Sequence, residues 1–558
     1  MADHSVGRFA LLHYDPGNPE FPTLPDGIDS LHIIEIGRAP GLSIRAPIPD
    51  VLQGKHSATG GTGYADWYLN GIWRQPDPVD FGNITATKQR TVILTNTSRS
   101  SVSLTAIDVS AITGLSVVSP GLPATIEAFD SLVVTFEVST TGDPAFDDEV
   151  LFTVGGLVLP VRMLGRRVII FNTVPEIPIN ERISWLTDNM ISIDGTEQAF
   201  SLRRAPRSRV VINQVLDDDE ERTRQFALIT GAGFLRMGVQ QWWQARAITS
   251  AALSTDLTIQ VNALDMEFDV GSNLSFVTPS GAIVEGEVES FTASSVTLTQ
   301  EVGLALPLNT YVMPLKFGFL SSEVNVKTFA RGLEETQLIF ELIEYADIGA
   351  LNMAYFTTHP VDGLPIITYP MAFDGGARDG NWNQTIDVLD GSTGDIQQTR
   401  TELAVRPGNP VLVYCNSQAD QHAWRQFLHF VRGSWGAFYI PTDMNDLPLA
   451  SVFTLGSNTF SVPSMGLESL IGLQAPRRDL KLNIDGTIYY RRITDISDNG
   501  TTEVITLNSA IPGAGTVPIE DVIISWLTLS RIVGDSATFK HAQLGDSELR
   551  FAVRGVIV

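Results

Sequence analysis

Eight histidines are the first residues to weigh for chemistry: His4, His13, His32, His56, His359, His422, His429 and His541. His422 and His429 lie seven apart, so a helix places both on one face. Zinc held on a helix needs i, i+4 spacing and a third ligand, and these two read instead as packed or solvated side chains. The run Asp217-Asp218-Asp219-Glu220-Glu221 lacks the alternation and the distant Glu of a calcium loop. It reads as the first turn of a helix, where acids meet the positive end of the helix dipole. Gly60-Gly61-Thr62-Gly63 lacks the Lys-Ser/Thr ending of a phosphate-binding loop and reads as a plain loop. Gly-x-Ser-x-Gly, His-Glu-x-x-His and the Walker and Rossmann patterns are absent. The paired carboxylates of a glycosidase leave no sequence signature, so nothing follows for them. Trp242, Trp243, Trp435, Phe438 and Tyr439 could form a sugar-stacking platform or interface anchors. Packing of an inward strand on its helix is the preferred reading. No catalytic, cofactor-binding or metal-binding set is expected, and the chain reads as a non-enzyme.

The background is acidic. Of 558 residues, 37 are Lys or Arg and 63 are Asp or Glu, a net charge of −26, and 43% are hydrophobic. That is enough apolar material for several cores, about three to five domains at roughly 100–200 residues each. A protein that grips nucleic acid through phosphates needs clustered basic residues, so that class is disfavoured. With one cysteine, Cys415, neither an intramolecular disulfide nor a cysteine-based metal site can form. The opening MADHSVGRFALLHYD has no apolar run of signal-peptide length, and no window approaches the roughly 20 apolar residues of a membrane helix. The expectation is a soluble chain folded in a reducing cytoplasm, without membrane insertion.

The elements that must position these residues are mostly strands. Alternating runs such as TVILTNT (91–97), LVVTFEVS (132–139), LTIQVNAL (257–264) and TEVITLNS (502–509) are bounded by turn residues. Two segments read as helices, 217–233 and 418–436, each ending near a glycine. Residues 1–78 read as an extended arm. Residues 79–168 give about seven short strands, the pattern of a sandwich. They resemble immunoglobulin-like domains of the abnormal-spindle/hydin type, through Phe81-Gly82, Leu94-Thr95-Asn96, Ile126 before Ser131–Phe136, and Leu159-Pro160-Val161 up to Gly165.

The remainder repeats itself. Trp185 corresponds to Trp382, Asp194-Gly195 to Asp390-Gly391, and Arg204 and Pro206 to Arg406-Pro407. The helix with Phe226 corresponds to that with Phe427, and Trp242-Trp243 to Phe438-Tyr439. Downstream, Val296-Thr297-Leu298 matches Ile505-Thr506-Leu507, and Phe329 matches Phe539. The expected organisation is an arm (1–78), a sandwich (79–168), module copy 1 (169–345, β insertion about 250–318), a linker (346–378) and module copy 2 (379–558, β insertion about 450–528).

The order of Trp, Asp-Gly, Arg-Pro, helix and aromatic pair resembles the distal tail and baseplate proteins of long-tailed bacteriophages and gene transfer agents. In copy 2 the resemblance rests on Asp390-Gly391, the helix 419–431, Arg432-Gly433 and Phe438-Tyr439-Ile440-Pro441; in copy 1, on Asp194-Gly195, Phe234, Arg236, Gly238 and Trp242-Trp243. It implies a mainly β fold with two tandem tail-tube-like modules, each with one helix and a small β insertion. It also implies a ring at the tail tip of the virion, assembled in the host cytoplasm. The expected partners are further copies of the chain (a homotrimer, with a hexamer as the alternative), the tube, hub and fibre proteins, and DNA only as passing cargo. Three chains would offer six modules and so join six-fold tube to three-fold hub. The sandwich would project outward. A receptor- or carbohydrate-binding protein at the tail periphery is the alternative.

Overall fold

The computed structural model describes residues 71–558 apart from 85–86, 172–173, 193, 233–234, 347, 370, 372–379, 384–385, 391, 393, 401–405, 472–476 and 558. The arm up to residue 70, the Gly60–Gly63 loop, Phe234 and Gly391 lie outside the described residues. The fold is mainly β.

Nine strands build the sandwich: β1 (Ile72–Gln75), β2 (Val79–Ile84), β3 (Lys88–Asn96), β4 (Val102–Asp108), β5 (Leu115–Ser119), β6 (Ala124–Ile126), β7 (Ser131–Val138), β8 (Ala145–Val154) and β9 (Leu157–Arg167). One sheet runs β1-β3-β7-β5 and the other β2-β9-β8-β4-β6. Alternation along each strand sends Val92, Leu94, Val134 and Phe136 inward from one sheet, and Val150, Phe152, Val161 and Met163 from the other. The sandwich starts earlier than the sequence pattern indicates, because β1 pairs with β3 from Ile72↔Asn96 to Gln75↔Ile93.

Copy 1 comprises β10 (Ile169–Phe171), β11 (Glu176–Ser184), the hairpin β12 (Thr187–Ile191) and β13 (Glu197–Ser201), β14 (Arg207–Leu216), helix α1 (Asp219–Ala232) and β15 (Arg236–Gln240). Its insertion holds β16 (Arg246–Ala247), β17 (Thr258–Gln260), β18 (Asn273–Val277), β19 (Ile283–Phe291) and β20 (Ser295–Leu298). The chain returns through β21 (Tyr311–Leu320), β22 (Asn325–Ala330) and β23 (Leu333–Leu342). Copy 2 repeats the order: β24 (Phe356–Thr358), β25 (Pro365–Ile367), β26 (Asn381–Asn383), the hairpin β27 (Ile386–Leu389) and β28 (Gln397–Arg400), β29 (Arg406–Cys415), helix α2 (Gln418–Val431) and β30 (Phe438–Pro441). Its insertion holds β31 (Phe453–Thr454), β32 (Thr459–Pro463), β33 (Asp479–Ile484), β34 (Thr487–Asp498), β35 (Thr502–Leu507) and β36 (Thr516–Val517), and β37 (Val522–Ile532), β38 (Ser536–Gln543) and β39 (Asp546–Gly555) close it.

The central pairings recur in both copies. β10 runs parallel to β15 and β25 parallel to β30, while β14–β23 and β29–β39 are antiparallel. The long strands β21 and β37 change partners along their length: early residues pair with insertion strands β18 and β33, late ones with β23 and β39. Even the bulges recur. Thr328 pairs with Glu334 just before one, and His541 with Ser547 before its counterpart. The differences 541 − 328 and 547 − 334 both equal 213. Ile212 pairs with Leu338 and Val411 with Phe551, so the offset there is 411 − 212 = 199. The helices begin 418 − 219 = 199 apart as well.

These registers correct several correspondences drawn from the sequence. Ile183 faces Ser208 as Trp382 faces Pro407, so Trp382 answers to Ile183, not Trp185. The hairpins pair Thr187↔Ser201 and Ile386↔Arg400, again 199 apart, which displaces Asp194-Gly195 from Asp390-Gly391 by three residues. Phe226 falls opposite Arg425, Arg207 opposite Arg406 and Val326 opposite Phe539. Phe438 pairs with Ser530 as Met237 pairs with Gly318, so the aromatic pair of copy 2 answers to Met237-Gly238. The aligned letters shared a residue type. Pairing registers fix which residue stands where. The segment 346–378 is also more than a linker, since it supplies β24 and β25, the opening strands of copy 2.

The sandwich does not hang free. Lys88 and Arg90 both reach Glu287 on β19, at 2.6 and 3.0 Å. Asn83 donates to Glu344 at 3.0 Å and accepts from Arg236 at 2.9 Å. β9 leads into β10 after a single residue, so the sandwich is tied to copy 1 by chain and by charge.

Candidate functional site: the seam between the modules

Strand β11 of copy 1 lies between β14 of its own module and β38 of copy 2. Its pairing with β38 runs from Ile179↔His541 to Ser184↔Ser536. The main chain therefore crosses from one module to the next within one sheet.

Charge is buried along this crossing. Arg425, on the inward face of α2, bonds the carboxylate of Glu181 from β11. Its Nε lies 3.2 Å from Glu267, which also meets Lys316 at 3.0 Å. All four side chains are almost wholly buried. Two carboxylates thus face two cations, which is how a dry interior tolerates ions. Burial alone would raise the pKa of Glu181, but Arg425 and then His541 outweigh it and hold the carboxyl far below its usual range. Glu267 follows the same logic, with Arg425 and Lys316 bringing it to about 2. Burial pushes His541 down, leaving the ring neutral. Because a carboxylate only accepts, the neutral ring donates from Nε2 to Glu181 at 3.2 Å, and Nδ1 accepts from the Ser547 hydroxyl at 2.6 Å. Trp243 stacks on that ring at 4.5 Å, and Arg425 lies over the Phe539 ring at 4.7 Å.

Ser547, His541 and Glu181 thus reproduce the order of a hydrolytic relay. The surroundings exclude that role. Ser547 is 4% exposed and His541 1%, so no substrate reaches the hydroxyl, and Glu181 is already committed to Arg425. The arrangement is a polar lock between modules. No group of three or more His, Cys, Asp or Glu among the described residues is arranged to hold a metal ion.

A second lock forms where the β12–β13 hairpin enters copy 2. Glu197, fully buried, bonds Arg406 and lies 3.2 Å from Arg554 and 3.8 Å from Arg531. Arg406 also donates to the Gly195 carbonyl at 2.9 Å. Asp194 shapes that turn by accepting from the Thr196 amide at 3.0 Å and hydroxyl at 2.8 Å. Asp535 joins the two copies through three oxygens. Its carbonyl accepts from the Trp185 amide at 2.8 Å, and its carboxylate accepts from the amides of Thr187 (2.7 Å) and Ser434 (2.6 Å). Gly433 follows Arg432, the left-handed cap of α2, and a Cβ on it would meet Asp535 at 2.6 Å.

Of the residues singled out in sequence, Trp185, Asp194, Gly195 and Trp243 meet at this seam. Trp242 is partly buried in the copy 1 core. Phe438 lies in the copy 2 core against Phe427, while the Tyr439 hydroxyl joins a separate cluster with Asp362, Asp479 and Arg492. Trp435 is not an inward residue; it is 41% exposed beneath Arg432. Asp390 only shapes its own loop, accepting from the Ser392 amide, and Trp382 stands exposed under Arg477. The residues that dominate the seam, Glu181, Glu267, Arg425, His541 and Asp535, carry no spacing signature. The one available signal was Arg425, a charge in the apolar stripe of Trp424, Phe427 and Leu428.

No family model matches the chain, and no curated protein matches it in sequence.

Proposed function

We propose that the chain is a structural protein of the tail tip of a long-tailed bacteriophage, where it forms a ring joining tail tube to hub and fibres. The observation that carries this reading is the head-to-tail seam, in which two copies of one module are joined by a continuous sheet and two buried ionic locks. Such a joint makes each chain two consecutive segments of a larger circle. Three chains supply six segments, the number a six-fold tube presents, while keeping three-fold symmetry for a hub. The net charge of −26 fits a channel that lets DNA pass without holding it. Ser547 and His541 are sealed within the seam, which accords with assembly as the mechanism. The sandwich, tied to copy 1 by Lys88, Arg90 and Asn83, would be carried at a fixed angle as an outer attachment point. Immunogold labelling of tailed particles with antibody against the purified chain tests the proposal. Label confined to the tail end distal to the capsid is expected; label on the capsid, or none on particles, would overturn it.

A further inference from the structure

We infer that a second copy of this chain docks on the open edge of β22, its β26 strand and β27–β28 hairpin repeating between chains the seam that β11 and its hairpin make within one. The inference rests on the ring reading for its biological use, but its structural basis is independent of it.

Strand β38 has β39 on one side and β11 on the other. Its counterpart β22 pairs only with β23 among the described residues, and all six of its residues are exposed. An unpaired strand edge is a template for another strand, and natural proteins cover or blunt it. The sequence NVKTFA carries one lysine and no proline to discourage pairing.

Side-chain exposure tells the same story on both faces. On the accepting face, Phe539 is fully buried, while its counterpart Val326 is 55% exposed. Arg425 is 3% exposed and its counterpart Phe226 67%. On the donating face, Ile183 is 2% exposed and Trp382 57%. Glu197 is 4% exposed and its counterpart Ile396 59%. Trp243 and Met444, each three residues beyond the end of its strand, are 2% and 64% exposed. At each of these positions the seam buries a residue, and the matching position at the free end of the chain is a large exposed apolar one.

The change of chemistry identifies the occupant. Within the chain, ions meet across the seam and are desolvated once, on folding. Between chains Phe226 and Ile396 replace the ions Arg425 and Glu197, Val326, Trp382 and Met444 keep the apolar character of Phe539, Ile183 and Trp243, and Arg207 keeps the charge of Arg406, so fewer ions have to be desolvated on each association. The internal seam shows how such faces meet, so the occupant is another copy. The contact is heterologous and head to tail, which closes into a ring when the rotation allows. The register follows from the offsets. Arg182↔Thr538 becomes Asn381↔Asn325, and Ile183↔Ala537 becomes Trp382↔Val324.

Cysteine cross-linking in the full-length chain tests this. One chain carries Asn325→Cys and another Asn381→Cys; the two are mixed and oxidised, then run without reductant. Strand neighbours lie within disulfide reach. A covalent dimer from the mixture, and from neither variant alone, is expected. The in-chain pair Arg182→Cys with Thr538→Cys serves as the geometric control. Trp382→Asp, at a surface position, is expected to weaken association about tenfold or more without lowering the melting temperature. Oligomers in native mass spectrometry without the 325–381 link would overturn the docking register and leave the ring reading standing. The link formed in open filaments would uphold the docking and overturn the ring. Monomers with no link at any concentration would overturn both.

Discussion

Arg425 is the residue on which the joint between modules turns. It neutralises Glu181 and Glu267 at once, and removing it leaves Glu267 with Lys316 and Glu181 with the neutral His541 and, among the described residues, no cation at hand. Breaking a buried pair from one side costs about 3–5 kcal/mol, so Arg425→Met is expected to lower the free energy of unfolding by about that amount in chemical denaturation. A loss under about 1 kcal/mol, the range of an exposed pair, would mean the pair contributes little. The histidines set a pH dependence. Burial lowers His429 from 6.5 to about 4, so the unfolded chain takes up that proton first as pH falls. Stability is full above about 6.5 and declines as pH drops toward 4; His541 acts in the same direction. Glu267, at about 2 against 4.5 when free, extends the loss to lower pH. Melting temperatures at about pH 7.5, 5.5 and 4 should fall in that order, and a flat profile would contradict these assignments. Cys415 is expected to be inert: burial pushes its thiol to about 12, so a thiol reagent at about pH 8 should label the denatured chain once and the native chain hardly at all.

Among the elements, α2 and the β12–β13 hairpin do the joining. Ser417 caps α2 by accepting from the Asp420 amide at 3.1 Å, and Asp535 links Ser434, just past the other end of that helix, to Trp185 and Thr187, just past β11. Ser417→Ala should cost about 1 kcal/mol. Asp535→Ala, which strips acceptors from two amides, should cost more, about 1–3 kcal/mol; equal costs in urea titrations would argue that Asp535 is no special link. The elements themselves were largely legible. Both helices and the sandwich strands follow from alternation, caps and turn residues, which are local properties. The alignment of the copies was not. Trp185 and Trp382 share a letter two residues out of register, and Phe226 and Phe427 share one although the first is exposed and the second buried. Insertions shift the offset from 199 to 213 along the module, and only strand pairing reveals where. The ionic locks were hidden for a related reason. Glu181 and Arg425 are 244 residues apart, and nothing local to either specifies the other.

At the scale of the whole molecule, the chain is asymmetric in a way that folding alone leaves unresolved. Among the described residues, one donating face is satisfied inside the chain and the other is not; one accepting edge is filled and the other open. In the docking proposed above, apolar residues at both free ends would favour addition of the next copy, and the ionic character of the internal seam would keep the two kinds of joint distinct. The central claim is that copies close head to tail into a circle of six modules. Native mass spectrometry of the full-length chain over a range of concentrations tests it most directly. A species of three chains, 3 × 60.7 kDa or about 182 kDa, is the expected result; a chain that stays monomeric at every concentration would contradict it.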